Sequence, residues 1–221
     1  MDDEVKGTSR TTARAYDASS RREKARATRR AVLAATRELV EQRGFAATTI
    51  ADVARRAGVS PESIYKGFGT KAALVKEVFD VTIAGDDETV AVADRPQSQR
   101  IRDEPDVRSK LRLYAEGAAA GADRSARLQL ALRNAAPSSA AIAELWRTVQ
   151  AERLTGMTML ARHLVGTGQL RTGIDADHVR DVLWTCISVE VYDLLVFQRG
   201  WDRNSYANWL ARTLTASLLD P

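Results

Sequence analysis

A chain of 221 residues is long enough to bury a sizeable core, as one large domain or as a small domain joined to a medium one. With 44% hydrophobic and 28% charged residues and five prolines, the composition excludes a largely disordered chain, and no apolar run of about 18 residues exists to span a membrane. The net charge of +4 is unevenly spread: residues 5–78 hold 16 Lys and Arg against 7 Asp and Glu, whereas residues 83–221 hold 17 against 18. A basic module joined to a near-neutral one fits a polyanion partner for the first, although a solvated basic face is the alternative. The polar, charged N-terminus lacks a cleavable apolar stretch, so a cytoplasmic protein is expected. The single cysteine, Cys186, lies in a largely apolar stretch and reads as a buried thiol more readily than as a redox sensor.

Residues 1–20 are rich in Ser, Thr, Asp and Arg without apolar periodicity, and predict a flexible arm. Ala25, Val32, Ala35, Leu39 and Val40, with Thr28 and Thr36 on the same face, predict a first helix over about 22–43, stopped by Gly44. Its first half is crowded with Arg22, Lys24, Arg26, Arg29 and Arg30. Ile50, Val53, Ala54 and Ala57 form the stripe of a short second helix, capped by Thr49 with Asp52 three residues on, and ended by Gly58. Ser60 then caps a third helix over about 61–67, Pro61 suits its first position, and Ile64 and Phe68 are expected to face inward. Thr70 caps a fourth helix carrying Leu74, Val75, Val78 and Phe79.

An acid-rich stretch from 85 to 105, punctuated by Pro96 and Pro105, predicts a loop between the two halves. Longer helices are expected beyond it, at about 106–121, 124–135, 138–165, 177–198 and 203–219. The last two and their turn carry Trp184, Val191, Leu194, Leu195, Phe197, Trp201, Tyr206, Trp209, Leu210, Leu214 and Leu218. This apolar loading suits packing against a second copy of the chain more than monomer core alone. The fold class is therefore all-α: an N-terminal three-helix domain with a helix-turn-helix over 21–84, then a C-terminal helical bundle over 85–221.

The stretch from Thr48 to Phe79 reads as helix, glycine turn, helix and bracing helix, in which a short second element can enter the major groove while the first holds it there. Glu62, Ser63 and Lys66 fall on the open side of the third helix, where base edges are read. Helical hairpins of purely structural use are common, so the basic preceding helix, Tyr65 and Lys71 matter. A lysine at a helix start opposes the helix dipole, and a phosphate partner would account for it.

The run Ile50-Ala51-Asp52-Val53-Ala54, Ala57-Gly58-Val59-Ser60, Ile64-Tyr65, Phe68 and Thr70-Lys71 resembles the DNA-binding region of the TetR family of bacterial regulators, over about residues 22–80. Trp184, Glu190, Tyr192, Leu194 to Val196, Gly200-Trp201, Tyr206, Trp209-Leu210 and Leu218 are similar to the end of one branch of that family. The resemblance implies a homodimer, joined through the last two helices, whose paired recognition helices meet two half-sites of a palindromic double-stranded operator. It implies phosphate contacts at Thr49, Tyr65 and Lys71 and base reading from the start of the third helix, so that Thr49, Ser60, Pro61, Glu62, Ser63, Tyr65, Lys66, Thr70 and Lys71 form the DNA-binding set. Gly67 departs from the pattern, since many relatives carry a histidine or aromatic residue there that touches the backbone. The resemblance also implies a small-molecule effector that releases the protein from DNA. Candidates for its pocket are Tyr114, Leu128, Leu132, Trp146, Met157, Leu160, His163, Trp184, Ser188 and Tyr192, each of which is equally at home in a plain core.

Nothing in the sequence points to an enzyme. The two histidines, His163 and His178, have no metal-ligand spacing, and both read as surface or satisfied side chains. Gly166, Gly168 and Gly173 fit a helix-to-helix turn, not a nucleotide loop, because no strand flanks them. No phosphate-binding loop or nucleophile elbow is present, and no cofactor is expected. Two further readings compete with a ligand-released repressor: a DNA-binding architectural or recruiting protein without ligand sensing, and a helical scaffold whose basic region meets another acidic surface.

Overall fold

Local chemistry sets the element boundaries of this all-helical chain. In the computed structural model, residues 8–85 and 94–220 are described, and no strand occurs among them. The helices are α1 (Thr8–Ala47), α2 (Ile50–Ala57), α3 (Pro61–Phe68), α4 (Lys71–Ala84), α5 (Pro96–Asp103), α6 (Val107–Ala135), α7 (Ala140–Gly166), α8 (Ala176–Cys186), α9 (Val189–Tyr192) and α10 (Arg203–Leu218). The chain forms two compact units, Met1–Val75 and Lys76–Pro221, so the boundary falls inside α4, before the break expected at Gly85.

The first unit is built on α1. This helix begins at Thr8 and not near Arg22, because the Ala- and Arg-containing segment before it favours helix even without an apolar stripe. The part of the expected arm before Thr8 lies outside the described residues. Gly44 breaks the helix near its end with φ 78°, a left-handed value that suits glycine. Val32, Leu33, Ala35, Leu39 and Val40 are buried, whereas Ala25 and Thr28, expected on the same face, are exposed. The apolar seam thus starts at Val32, and the basic half of α1 lies clear of the core.

In the second unit, α6 and α10 present matching stripes spaced by four residues, which is one face of a helix. Val107, Leu111, Ala115 and Ala119 meet Tyr206, Leu210, Leu214 and Leu218 in one buried cluster, which Ala161, Leu164, Val179 and Leu183 complete from α7 and α8. Arg124 donates to the carbonyls of Thr82 (3.2 Å) and Ile83 (3.0 Å), satisfying the carbonyl end of α4.

Three boundaries in this unit differ from expectation. The stretch 85–105 holds α5, because Pro96 occupies a first-turn position, where a missing N–H costs nothing, and so opens a helix. Residues 107–135 form one helix, since Gly121 is tolerated within α6, and Gly117 makes room for Gln97: a Cβ there would collide with its side chain. The helix expected over 177–198 breaks at Ile187, where the Ser188 hydroxyl accepts from the Val191 amide (3.4 Å) and so caps a new start. After α9 the chain runs on as a π-helical turn, Asp193–Gln198, and ends at Gly200.

Candidate nucleic-acid interface

The helix-turn-helix is fixed by caps at both ends of each short helix. Thr49 Oγ1 accepts from the Asp52 amide (3.1 Å) and donates to Asp52 Oδ2 (2.7 Å). The Thr49 hydroxyl, and then the Arg55 guanidinium, hold the Asp52 carboxyl below its ordinary pKa. Gly58 ends α2 in the left-handed conformation (φ 69°, ψ 33°), and its amide returns to the Ala54 carbonyl. Ser60 caps α3 by accepting from the Ser63 amide (3.2 Å), with Pro61 at its first position, and the Gly69 amide closes the far end on the Tyr65 carbonyl (2.9 Å). Thr70 Oγ1 accepts from the Ala73 amide (3.1 Å) at the start of α4.

These caps set which way α3 faces. Ile64 is 1% exposed, so it anchors the helix, while Pro61, Glu62, Ser63, Lys66 and Gly67 are open to solvent and Tyr65 is 55% exposed. An aromatic side chain that open on a helix of eight residues is a surface group available to a partner. Phe68 is only half-buried, and its outer face carries the Arg29 guanidinium, 4.9 Å from the ring centroid. The ion pair from Arg56 to Glu38 ties α2 to α1, while Arg55 pairs with Asp52 within α2. The Arg56 hydrogen bond accordingly keeps the Glu38 carboxyl below its usual range.

Members of the expected DNA-binding set also bond to one another and to the backbone of the same unit. Ser60 and Ser63 share a hydroxyl–hydroxyl hydrogen bond (2.9 Å). Lys71 donates from Nζ to the carbonyls of Phe45 and Thr48, both at 2.7 Å, and lies 3.8 Å from the Phe45 ring centroid. It therefore closes the end of α1, which accounts for a cation at a helix start without any phosphate. Burial lowers its pKa. Thr49, Pro61, Glu62, Tyr65, Lys66 and Thr70 remain at the surface.

The effector candidates are spread through the second unit. Tyr114, Trp146, Met157 and Leu160 pack half-buried against the cluster that contains Tyr192. Tyr192 donates to Asp123 Oδ1 (3.2 Å) and meets Tyr206 edge-on (4.9 Å). Leu128 and Leu132 are wholly buried, and Ser188 serves as the α9 cap. His163, expected to be satisfied or exposed, has a buried Nε2 without a hydrogen-bond partner; burial, then the Lys110 and Arg102 charges, lowers its pKa. His178 is exposed. Arg153 is missing from the sequence-derived set, yet its guanidinium lies 3.5 Å from the Trp184 ring centroid and donates to the Trp184 carbonyl (3.0 Å). Its one sequence signal is a cation on an otherwise apolar helical face of α7.

Two open grooves line α10. One, of about 380 Å³, runs between α8 and α10 past His178, Asp181, Val182, Thr185, Cys186 and Ser217. The other, of about 1070 Å³, lies between the start of α6 and α10, past Asp106, Arg112, Trp201, Asn208, Arg212 and Thr215. Neither is lined by the effector candidates. The aromatic loading of the last helices goes largely into the monomer: Tyr192, Tyr206, Leu210, Leu214 and Leu218 are core, while Leu194 and Phe197 stay exposed. Burial raises the pKa of the half-buried Cys186 thiol. Among the described residues no group of three or more His, Cys, Asp or Glu is placed to hold a metal, and no helix is long and apolar enough to cross a membrane.

Comparison with known proteins matches this geometry. Residues 32–78 match the family described as bacterial regulatory proteins, tetR family. Among solved structures, the chain is similar to FadR from Bacillus subtilis in complex with stearoyl-CoA (18% identity, TM-score 0.67, 85% of this chain and 97% of that one). It is also similar to a transcriptional regulator from Saccharomonospora viridis in complex with choline (19%, 0.65, 87% and 98%). A third is NalD, the secondary repressor of the MexAB-OprM multidrug efflux pump in Pseudomonas aeruginosa (20%, 0.58, 87% and 96%). No curated protein sequence matches the chain. At these identities the structures speak for the fold, while the match over residues 32–78, from within α1 into α4, makes the helix-turn-helix segment similar to that of the tetR family of bacterial regulatory proteins.

Proposed function

We propose that the protein is a ligand-responsive repressor, a homodimer that grips a palindromic operator through α3 and lets go when a small molecule enters its C-terminal bundle. The observation that carries this reading is the division of α3, with Ile64 buried and Pro61, Glu62, Tyr65 and Lys66 presented outward at the tip of a capped, well-anchored helix. Glu62, Ser63 and Lys66 are assigned to base edges, with Ser60 and Pro61 setting the approach of the helix start; Thr49, Tyr65 and Thr70 are assigned to phosphates. Lys71 acts by holding the end of α1 in place. The exposed Arg22, Lys24 and Arg26 supply further phosphate attraction, offsetting the bare surface at Gly67.

Dimerisation is assigned to the last two helical segments, where Leu194 and Phe197 are exposed and an open groove runs between α8 and α10. Effector binding is assigned to the bundle interior around Tyr114, Trp146, Met157, Leu160, His163, Trp184 and Tyr192, with Leu128, Leu132 and Ser188 behind them. An effector acts by favouring a dimer whose recognition helices are wrongly spaced for the operator. The proteins named above, one with stearoyl-CoA, one with choline and one a repressor, support ligand response and repression as the direction of control.

Fluorescence-anisotropy titration against duplexes from upstream of the protein's own gene, beside scrambled controls and across salt, tests this. Tight binding to one palindrome, weakened by one or more compounds in an effector screen, is expected. Weak, salt-sensitive binding to every duplex alike would leave only a nonspecific DNA binder.

A further inference from the structure

We propose that the effector of the C-terminal bundle is an apolar monocarboxylate whose carboxylate is held by the Arg153 guanidinium and the Tyr114 hydroxyl. This inference rests on the ligand-sensing reading above and names its chemistry. Arg153 on α7 is half-buried, stacked on Trp184 of α8 and, among the described residues, bonded only to neutral acceptors: the Trp184 carbonyl at 3.0 Å and Gln150 Oε1 at 3.2 Å. A guanidinium withdrawn from water is normally matched by a carboxylate. Among the described residues none stands within ion-pairing distance of Arg153. The acid whose charge reaches it most strongly, Glu190, is instead paired with Arg133 (2.9 Å).

Tyr114 on α6 adds a second, independent observation. The side chain is half-buried, and its hydroxyl donates to Met157 Sδ (3.1 Å), a thioether that is a weak acceptor. Met157 stands four residues after Arg153 on α7, so the phenol that reaches its sulfur meets the same face of α7 one turn away; nearby, the Tyr206 hydroxyl donates to the Cys186 carbonyl (3.2 Å), joining α10 to the end of α8. Two donors thus lack the acceptor their chemistry prefers, and one anionic oxygen pair satisfies both with charge-assisted hydrogen bonds.

The surroundings define the rest of the molecule. Tyr114, Trp146, Met157, Leu160 and Cys186 pack against the apolar cluster, and Trp184 offers a ring face. One interior cation among apolar and aromatic walls suits a single negative charge on a hydrophobic body. A phosphate ester, with close to two charges and more oxygens to satisfy, needs donors this region lacks.

Isothermal titration calorimetry of the full-length protein, without DNA, tests the proposal with benzoate, phenylacetate, hexanoate and octanoate, each beside its primary amide. At least one acid should bind about tenfold or more tightly than its amide, the difference expected for a charge-assisted pair. Arg153→Gln should abolish that preference, Arg153→Lys should restore part of it, and Tyr114→Phe should weaken the acid several-fold; thermal melts confirm that each variant folds. Absence of binding by all four acids overturns the proposal, as does equal binding of acid and amide. So does an acid preference that survives in Arg153→Gln; if that variant does not fold, the acid–amide comparison in the wild type decides. An acid that binds through Arg153 yet leaves operator affinity unchanged would refute ligand-driven release while upholding the carboxylate site.

Discussion

The two units place their polar chemistry on opposite sides of the surface. In the first, the buried Thr36 and Thr48 donate their hydroxyls to carbonyls of α1, at Val32 (2.8 Å) and Gly44 (2.9 Å), and the polar groups of α3 are exposed. In the second, the interior itself is polar: Tyr114 rests on a sulfur, Arg153 on a ring face, and His163 Nε2 on nothing. Lys110 is also buried there, its ammonium held by the carbonyls of Ile101 (2.8 Å) and Arg102 (2.7 Å). On the proposed function this division makes sense: a unit that presents one fixed surface to a nucleic acid satisfies its core, and a bundle that responds to a small molecule keeps groups whose hydrogen bonding a ligand can improve, an improvement that is differential binding energy able to shift a population.

The sharpest way to break this contrast is to loosen the anchor of α3. Ile64→Ala should cost about 2–5 kcal/mol through the cavity it leaves. It should abolish specific DNA binding together with folding, whereas Tyr65→Ala should leave the melting temperature unchanged and weaken every duplex; thermal melts beside anisotropy separate the two. Lys71→Ala comes next, at about 1.5–3 kcal/mol, because two carbonyls lose a charged donor. Its salt slope should match wild type once folded protein is compared, while Lys66→Ala should remain stable. A slope reduced by about one in Lys71→Ala would return Lys71 to the phosphate contacts.

The two helix-end glycines sharpen the account further. Gly58→Ala should lose about 1–2 kcal/mol purely from its left-handed backbone, since a Cβ there meets nothing. Gly67→Ala, in open space with ordinary helical geometry, should gain up to about 1 kcal/mol, and both are read by denaturant melts.

The smallest effect belongs to His163. Its folded pKa lies below the ordinary 6.5, so the unfolded chain binds the proton first. Stability from this group is complete above about pH 6.5 and is lost as pH falls through the lower folded value. His163→Leu should flatten the decline in melting temperature between pH 7.5 and 5.5. An identical decline in both proteins would remove His163 from the polar interior.

Legibility follows the range of the interactions. The helix-turn-helix was readable because its signals are local: Thr49 caps α2 from three residues away, Gly58 ends it, and Ser60 with Pro61 starts α3. The internal bonds of Lys71 were not legible because its partners lie 23 and 26 residues away in sequence, and a helix-dipole argument sees only its own helix. Arg153 stayed invisible for the same reason, its Trp184 partner being 31 residues on. In the bundle, alanine-rich periodicity marked helices but not their ends. Pro96 reads as loop punctuation yet opens a helix, while Ser188 interrupts a run that apolar spacing alone would carry through.

The central claim is that the outward face of α3 reads DNA bases. Selection of binding sites from a random duplex library, run in parallel with wild type, Glu62→Ala and Lys66→Ala, tests it most directly. The account predicts a palindrome for wild type and, for each variant, a changed base preference at the same position in both half-sites. Three identical site preferences would contradict it.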